Sequence, residues 1–312
     1  VDLFGLFAEG DPLQVMPEEI VVADDAFPEE EEVFNERSRI FLRRFMQSGG
    51  RFSIEDGNPE MLFLDNCLYT ADGRTLICCF DGEGQTSFEA HPMVRTVRNS
   101  AFIPDNEIRV FEFPYAEKFG AFALENCAAA EEFAFGQRIR VEEGNADLYV
   151  LLSPLENVRK VRIDEGNPDY FVGNDCVVDR TDGRLVYIPS ALGGRIILPD
   201  GTDDDPVFGK GVTEIVFPDT FTYFNTVSAF GCEGLKSLAF GSPDSLTVVS
   251  NATDVLTELE SVTFGNIRSL TCQVSAFSRG ALGTVRLPDT LEVINGIFTV
   301  CSAFEISEDN AY

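Results

Sequence analysis

Val212-Thr-Glu-Ile-Val-Phe217, Leu235-Lys-Ser-Leu-Ala-Phe240, Leu259-Glu-Ser-Val-Thr-Phe264 and Leu282-Gly-Thr-Val-Arg-Leu287 are four versions of one six-residue phrase. Their starts lie 23, 24 and 23 residues apart. Each is apolar at positions one, four and six. Positions four and six alternate as one face of a strand does. Two copies run into Pro-Asp, at Pro218-Asp219 and Pro288-Asp289, which reads as a strand stop and a turn.

The phrase recurs upstream. Ile108-Arg-Val-Phe-Glu-Phe113 runs into Pro114, Ala130-Glu-Glu-Phe-Ala-Phe135 follows 22 residues later, and Val158-Arg-Lys-Val-Arg-Ile163 after a further 28. An Ala-Phe pair precedes many copies: Ala101-Phe102, Ala121-Phe122, Ala229-Phe230 and Ala276-Phe277, with Ala303-Phe304 opening one more turn. A longer repeat overlies the short one. Ile54-Glu-Asp-Gly-Asn-Pro-Glu60 matches Ile163-Asp-Glu-Gly-Asn-Pro-Asp169 after a shift of 109. Asn66-Cys-Leu-Tyr69 then parallels Asp175-Cys-Val-Val178, and Asp72-Gly-Arg74 parallels Asp182-Gly-Arg184. Each Asp-Gly sits between apolar runs as in a tight hairpin, and each Gly-Asn-Pro reads as a turn.

One strand and one turn of about 23 residues cannot bury its own apolar face, whereas a stack of such coils can. The chain holds 28 phenylalanines, many at position six or in the Ala-Phe pair. A phenylalanine spine along the stack is therefore expected.

The run Ala229-Phe230-Gly-Cys232-Glu-Gly-Leu235-Lys-Ser-Leu238-Ala-Phe240 resembles the BspA-type leucine-rich repeat, and the likeness extends over roughly residues 51 to 304. Ile163 through Asp182-Gly-Arg-Leu-Val-Tyr-Ile-Pro189 resembles an insert of that family's bacterial members. The stretches 136–157 and 241–258 depart from the pattern. The resemblance implies a right-handed leucine-rich-repeat solenoid of mostly short parallel β-strands with turns and little helix. It also implies a surface or secreted protein of adhesion type that binds a protein or glycan partner, and it brings no catalytic residues.

The segment 1–50 is expected to be an acidic N-terminal segment with a capping helix, and 51–312 the repeat array. Residues 1 to 32 hold eleven acids and no Lys or Arg, and part of them reads as a tail. A helix is expected from Pro28, with Glu29 to Glu32 at its positive end, Arg43 and Arg44 near its negative end, and Gly49-Gly50 closing it. Val33, Phe34, Ile40, Phe41 and Phe45 form its apolar stripe, suited to covering an open solenoid end. A partner-binding helix is the alternative.

The chain of 312 residues carries 53 acids against 23 Lys and Arg, a net charge of −30. That field repels a phosphate backbone and an anionic membrane surface, so neither nucleic acid nor membrane insertion is expected. No run approaches the roughly 18 apolar residues of a membrane helix. The sequence opens at Val1 without a basic start and apolar run, and reads as a mature form or a trimmed piece. A monomer is expected.

Chemistry has few footholds. His91, before Pro92, is the one histidine, and no nucleophile-elbow motif accompanies it. Cys78-Cys79 are adjacent and the other six cysteines stand apart, so no zinc pattern and no cofactor site is expected. Cys67 and Cys176 hold equivalent places in the long repeat. Cys127 and Cys232 follow an Ala-Phe pair, and Cys272 and Cys301 precede one. Such recurrence suits buried free thiols, with a disulfide as the alternative. Asp200-Gly-Thr-Asp-Asp-Asp205 is the best calcium candidate but lacks the spacing of a calcium-binding helix-loop-helix. Asn251-Ala-Thr253 is a formal glycosylation sequon. No Gly-rich phosphate loop is present.

The candidate site is a basic stripe: Arg109, Arg159, Lys160, Arg162, Lys236 and Arg286 fall at non-core strand positions. The stripe would meet an anionic ligand or partner. Mixed solvated charge is the other reading, given Glu112, Glu131, Glu132 and Glu214 at like positions. Three functions are weighed: a binding protein, a structural spacer or assembly module of a larger surface protein, and a hydrolase built on paired carboxylates.

Overall fold

The computed structural model describes residues 18–22, 36–80, 84–142, 148–202, 208, 211–229, 232, 234–249, 256–272, 282–296 and 303–306. Pro28 to Phe34, Asn251 to Thr253, Asp203 to Asp205, Phe230, Ala276-Phe277 and Cys301 lie outside them. The chain divides into two compact units, Val1–Leu155 and Glu156–Tyr312. In each, short parallel strands from successive coils lie side by side, which is the solenoid architecture that the period implies.

In the first unit, Ser87–Glu89, Val110–Phe113 and Glu132–Phe135 form one parallel sheet, with Phe88 opposite Phe111 and Phe111 opposite Phe133. A second sheet takes Thr96–Val97, Lys118–Gly120 and Arg140–Glu142 from the same coils. In the second unit, Gly194–Ile197, Val212–Val216, Ser237–Phe240, Ser261–Phe264, Thr284–Leu287 and Ala303–Ile306 make one parallel sheet. Tyr223–Asn225, Ser245–Val249, Ser269–Cys272 and Val293–Asn295 make another. Each complete coil thus carries two strands, not the single strand that the six-residue phrase marks. The second strands are as short as two residues, and so brief a segment has no readable alternation.

The period places the core correctly. Val212, Ile215 and Phe217 are buried, as are Leu235, Leu238 and Phe240, and Leu282, Val285 and Leu287. The phenyl spine exists in each unit. Phe111 stacks on Phe133 at 5.3 Å and Phe113 on Phe135 at 5.9 Å, while Phe217, Phe240 and Phe264 stack in turn. Offset and edge-to-face ring pairs at such distances add stability beyond their buried area. Phe122 departs from this expectation. It shares the Ala-Phe pattern, but its ring is 51% exposed, and its amide is tied to the Asn99 side chain of the preceding coil.

The two copies of the long repeat fold alike, and they are antiparallel where the repeats are parallel. Met61–Leu64, Cys67–Thr70 and Thr75–Cys79 form one meander; Tyr170–Gly173, Cys176–Asp179 and Leu185–Tyr187 form the other. Asp65-Asn66 and Asn174-Asp175 turn their first hairpins with positive φ at both residues, the backbone that a two-residue hairpin favours. Register slips at Leu68/Tyr69 and at Val177/Val178, equivalent places. Asp72-Gly73 and Asp182-Gly183 close the second hairpins, as the sequence predicts. Asn58 and Asn167 are buried, and each side-chain carbonyl accepts two backbone N–H groups, holding the Gly-Asn-Pro turns.

Near the N-terminus the described helix spans Glu36–Gln47. Phe45 and Leu42 are its buried side chains, with Ile40 and Phe41 half-buried. Phe41, Leu42 and Phe45 pack with Val22, Phe52, Met61, Leu68, Ile77, Phe80 and Ile103. Arg43 donates to the carbonyls of Pro104 and Asp105 at 2.9 and 3.0 Å. Gly49 has φ +91°, and the amides of Gly49 and Gly50 cap the carbonyls of Met46 and Phe45. Within the acidic segment, Glu19–Val22 is a strand paired in parallel with Arg51–Ile54, an element that the acid count concealed. Among the described residues no helix is long and apolar enough to cross a membrane.

Candidate functional site

Among the described residues, no three His, Cys, Asp or Glu side chains cluster as metal ligands would. Of the calcium candidate, only Asp200, Gly201 and Thr202 are described. His91 is half-buried in a turn, where its Nδ1 accepts the Met93 amide at 3.3 Å. The seven described cysteines are all buried thiols. Burial pushes the thiols of Cys176 and Cys272 up to about 12 and that of Cys232 to about 11, and it raises Cys127 as well. These thiols are protonated and inert at neutral pH.

The basic stripe divides between the units. Arg109 lies in the first; Arg159, Lys160, Arg162, Lys236 and Arg286 lie in the second, and the described side chains of all six are exposed. Three of them face an acid on the next coil: Arg109 meets Glu131 at 3.7 Å, Lys236 meets Glu260 at 3.0 Å, and Arg286 meets Glu305 at 2.7 Å. The same rule holds elsewhere. Arg51 pairs with Glu19 and Arg195 with Glu214, each cation directly opposite its acid in the strand register, and Arg268 pairs with Asp244 of the preceding coil. Exposed pairs of this kind contribute at most about 1 kcal/mol each. Opposite charges placed face to face do, however, disfavour a slipped register.

A second surface, which sequence reasoning missed, also sets cation beside cation. The second sheet of the first unit is bordered by Arg74, Arg95, Arg98, Lys118, Arg138 and Arg140, six of the twelve basic residues in that unit. Thr75 pairs with Thr96, which sets Arg74 beside Arg95; Thr96 pairs with Lys118, and Lys118 with Arg140. The acids on this sheet are Asp72, Glu117 and Glu142. Glu142 lies 3.4 Å from Lys118. Asp72 is held by the Thr70 hydroxyl and the Arg74 amide, and the amide, then the hydroxyl, lowers its pKa. The other sheet of the same coils is acidic, with Glu89, Glu112, Glu131 and Glu132 against Arg109.

Apolar groups stand on the basic sheet's margin. Tyr115 is 53% exposed and Met93 36% exposed, at equivalent places in successive coils. The Arg95 guanidinium lies 5.7 Å from the centre of the Tyr115 ring and donates to the carbonyls of Pro92 and Val94. A signal was present: Pro92-Met-Val-Arg-Thr-Val97 and Pro114-Tyr-Ala-Glu-Lys-Phe119 repeat at 22 residues, with Gly136-Gln-Arg-Ile-Arg-Val141 a further 22 on.

The second unit's second sheet differs again. Its outward rows are Tyr223, Thr247, Thr271 and Asn295, and Ser245, Ser269 and Val293, with no charge within either row.

No protein-family model matches the chain, and no curated protein matches it. Solved structures do resemble it. A leucine-rich repeat protein from Eubacterium ventriosum aligns with TM-score 0.36 and 14% identity over 93% of this chain and 92% of that one. The pneumococcal vaccine antigen PcpA aligns with TM-score 0.30 and 13% identity over 83% and 82%. A leucine-rich cell surface protein from Faecalibacterium prausnitzii aligns with TM-score 0.24 and 10% identity over 78% and 96%.

Proposed function

We propose that the chain is a non-enzymatic surface or secreted protein that binds a protein or glycan partner, in the manner of an adhesin. The observation that supports this most is the cluster of Arg95, Tyr115 and Met93 on an open sheet margin. Arg, Tyr and Met are enriched at binding interfaces, where Lys and Glu are depleted. Here they stand together on a surface otherwise rich in Glu. The surface or secreted placement follows the resemblance of the repeat, and stacked coils offer the extended face that such binding uses.

The test is a binding screen of the purified chain against host matrix proteins and glycans, run beside Tyr115→Ser. A ligand held at micromolar concentration or tighter, and weakened at least tenfold by Tyr115→Ser, supports the reading. No ligand at that concentration, or one indifferent to the substitution, counts against it. The spacer reading is favoured by the ion-pair ladder, because a sheet whose cations are met by its own acids asks for no partner. A chain that binds nothing in the screen is that spacer.

A further inference from the structure

We infer that the basic sheet of the first unit takes an anionic polysaccharide, a polymer with a carboxylate or sulfate on successive sugars; this rests on the binding reading above and names its ligand. Four successive coils carry two pairs of cations: Arg74 beside Arg95, and Lys118 beside Arg140 one residue further along the strands, with Glu117 opposite Arg95. Parallel strands lie about 4.8 Å apart, so within each pair the cations are spaced by about a single pyranose ring.

Elsewhere several cations meet an acid instead. Arg51, Arg109, Arg195, Lys236, Arg268 and Arg286 each form an ion pair with an acid of a neighbouring strand or coil. Like charges opposite one another destabilise a sheet. In a chain with 53 acids and 23 Lys and Arg, an acid is the commoner neighbour to meet. Arg74 beside Arg95, and Lys118 beside Arg140 with Glu142 at 3.4 Å from Lys118, set cation next to cation, a repulsion that a bound polyanion relieves. Asp72, Glu117 and Glu142 leave the margin with more positive than negative groups, six against three.

The chemistry of the row selects the ligand further. Five of the six cations are arginines, whose planar fork matches the paired oxygens of carboxylate and sulfate. Tyr115, with Arg95 across its face and Met93 beside it, supplies a flat apolar platform for a sugar ring. The strands Thr96–Val97 and Lys118–Gly120 are paired on both sides and only Arg140–Glu142 ends the sheet, so an extended acidic peptide finds no backbone edge beside Arg74, Arg95 or Lys118. Recognition by side chains at coil spacing suits a stiff polymer. The distant acids lie beyond a Debye length of about 8 Å at physiological salt, so the local row governs attraction there.

The experiment is isothermal titration of the full chain, at physiological salt, with polygalacturonate, chondroitin sulfate and neutral dextran. The first carries carboxylate alone, and the second carries carboxylate and sulfate on alternating sugars. Binding of at least one acidic polymer is expected, with none of dextran. Arg95→Ser combined with Arg140→Ser should weaken it at least tenfold, and 0.5 M salt should weaken it similarly (Debye length about 4 Å). Arg109→Ser, whose partner is Glu131, should leave it unchanged. Arg74→Ser, at an exposed position, serves if the double variant fails to fold by circular dichroism, and it should also weaken binding. No binding of either acidic polymer, equal binding of dextran, or affinity unmoved by the substitutions overturns the inference. So does binding confined to an acidic protein or to DNA. A protein ligand found in the screen and lost in Tyr115→Ser, with both polymers inert, keeps the binding reading and removes this one.

Discussion

Phe217 and Phe240 lie one coil apart with their rings stacked, centroids 4.6 Å apart and planes 9° from parallel. Phe264 continues the stack at 5.6 Å. Each ring is packed by its equivalents, so removing one opens a cavity between two others. Phe240→Ala should cost about 3–5 kcal/mol in urea unfolding of the full chain. Phe122→Ala, on an exposed ring of the same sequence pattern, should stay within about 0.5 kcal/mol. Equal losses at both sites would remove the spine from the account.

Gly241 sits where one coil crosses the last. A side chain there would stand 2.6 Å from the Asp219 amide and from the Pro218 carbonyl carbon, both backbone. Neither can swing aside as a flexible side chain would. Gly241→Ala should cost about 1–3 kcal/mol. Gly283, which has open space around it, should accept Ala without loss. Thermal midpoints of the two variants decide this.

Asn167 is 2% exposed and its side-chain carbonyl accepts the amides of Asp169 and Tyr170, both at 2.9 Å. Asn167→Ala strands two donors and should cost about 1–3 kcal/mol. Asn58→Ala should behave alike in the first copy, because Asn58 accepts from Glu60 and Met61 in the same way. A tolerated substitution at both would show that the turns do not depend on these caps.

The buried thiols predict a pH dependence. Burial raises Cys176 and Cys272 from the usual value of 9.0 to about 12. The folded chain then binds more protons than the unfolded chain between those values. Their contribution to stability is complete below pH 9 and is lost as pH rises toward 12. Urea midpoints should fall over that window, and iodoacetamide at neutral pH should label the described cysteines only after unfolding. Rapid labelling of the native chain would contradict their burial.

How far the sequence could be read depended on the length of each signal. The six-residue phrase repeats often enough to place Val212, Leu235 and Leu282 in the core, and the 109-residue shift correctly pairs the two meanders. The second strands of the first unit's coils stayed hidden because two or three residues show no periodicity. With them went the row from Arg74 to Arg140, since the eye follows the phrase that carries leucines. Arg109, Lys236 and Arg286 were found for the opposite reason: they flank or lie within that phrase. What composition could not show is that acids on the next coil meet them. Phe122 looked like spine because its pattern is shared, yet a single amide held by Asn99 accompanies an outward ring.

Side-by-side coils in a fixed register underlie every surface described above, and cysteine cross-linking measures that register directly. Thr247 lies opposite Thr271, and Thr271 opposite Asn295. Thr247→Cys with Thr271→Cys places two exposed-face thiols about 4.8 Å apart between backbones, within disulfide reach. Thr247→Cys with Asn295→Cys spans two coils, about 9.6 Å, and lies beyond it. Mild oxidation followed by mass spectrometry should show an intramolecular disulfide in the first pair and none in the second. No bond in the first pair, or equal bonding in both, would contradict the stacked architecture.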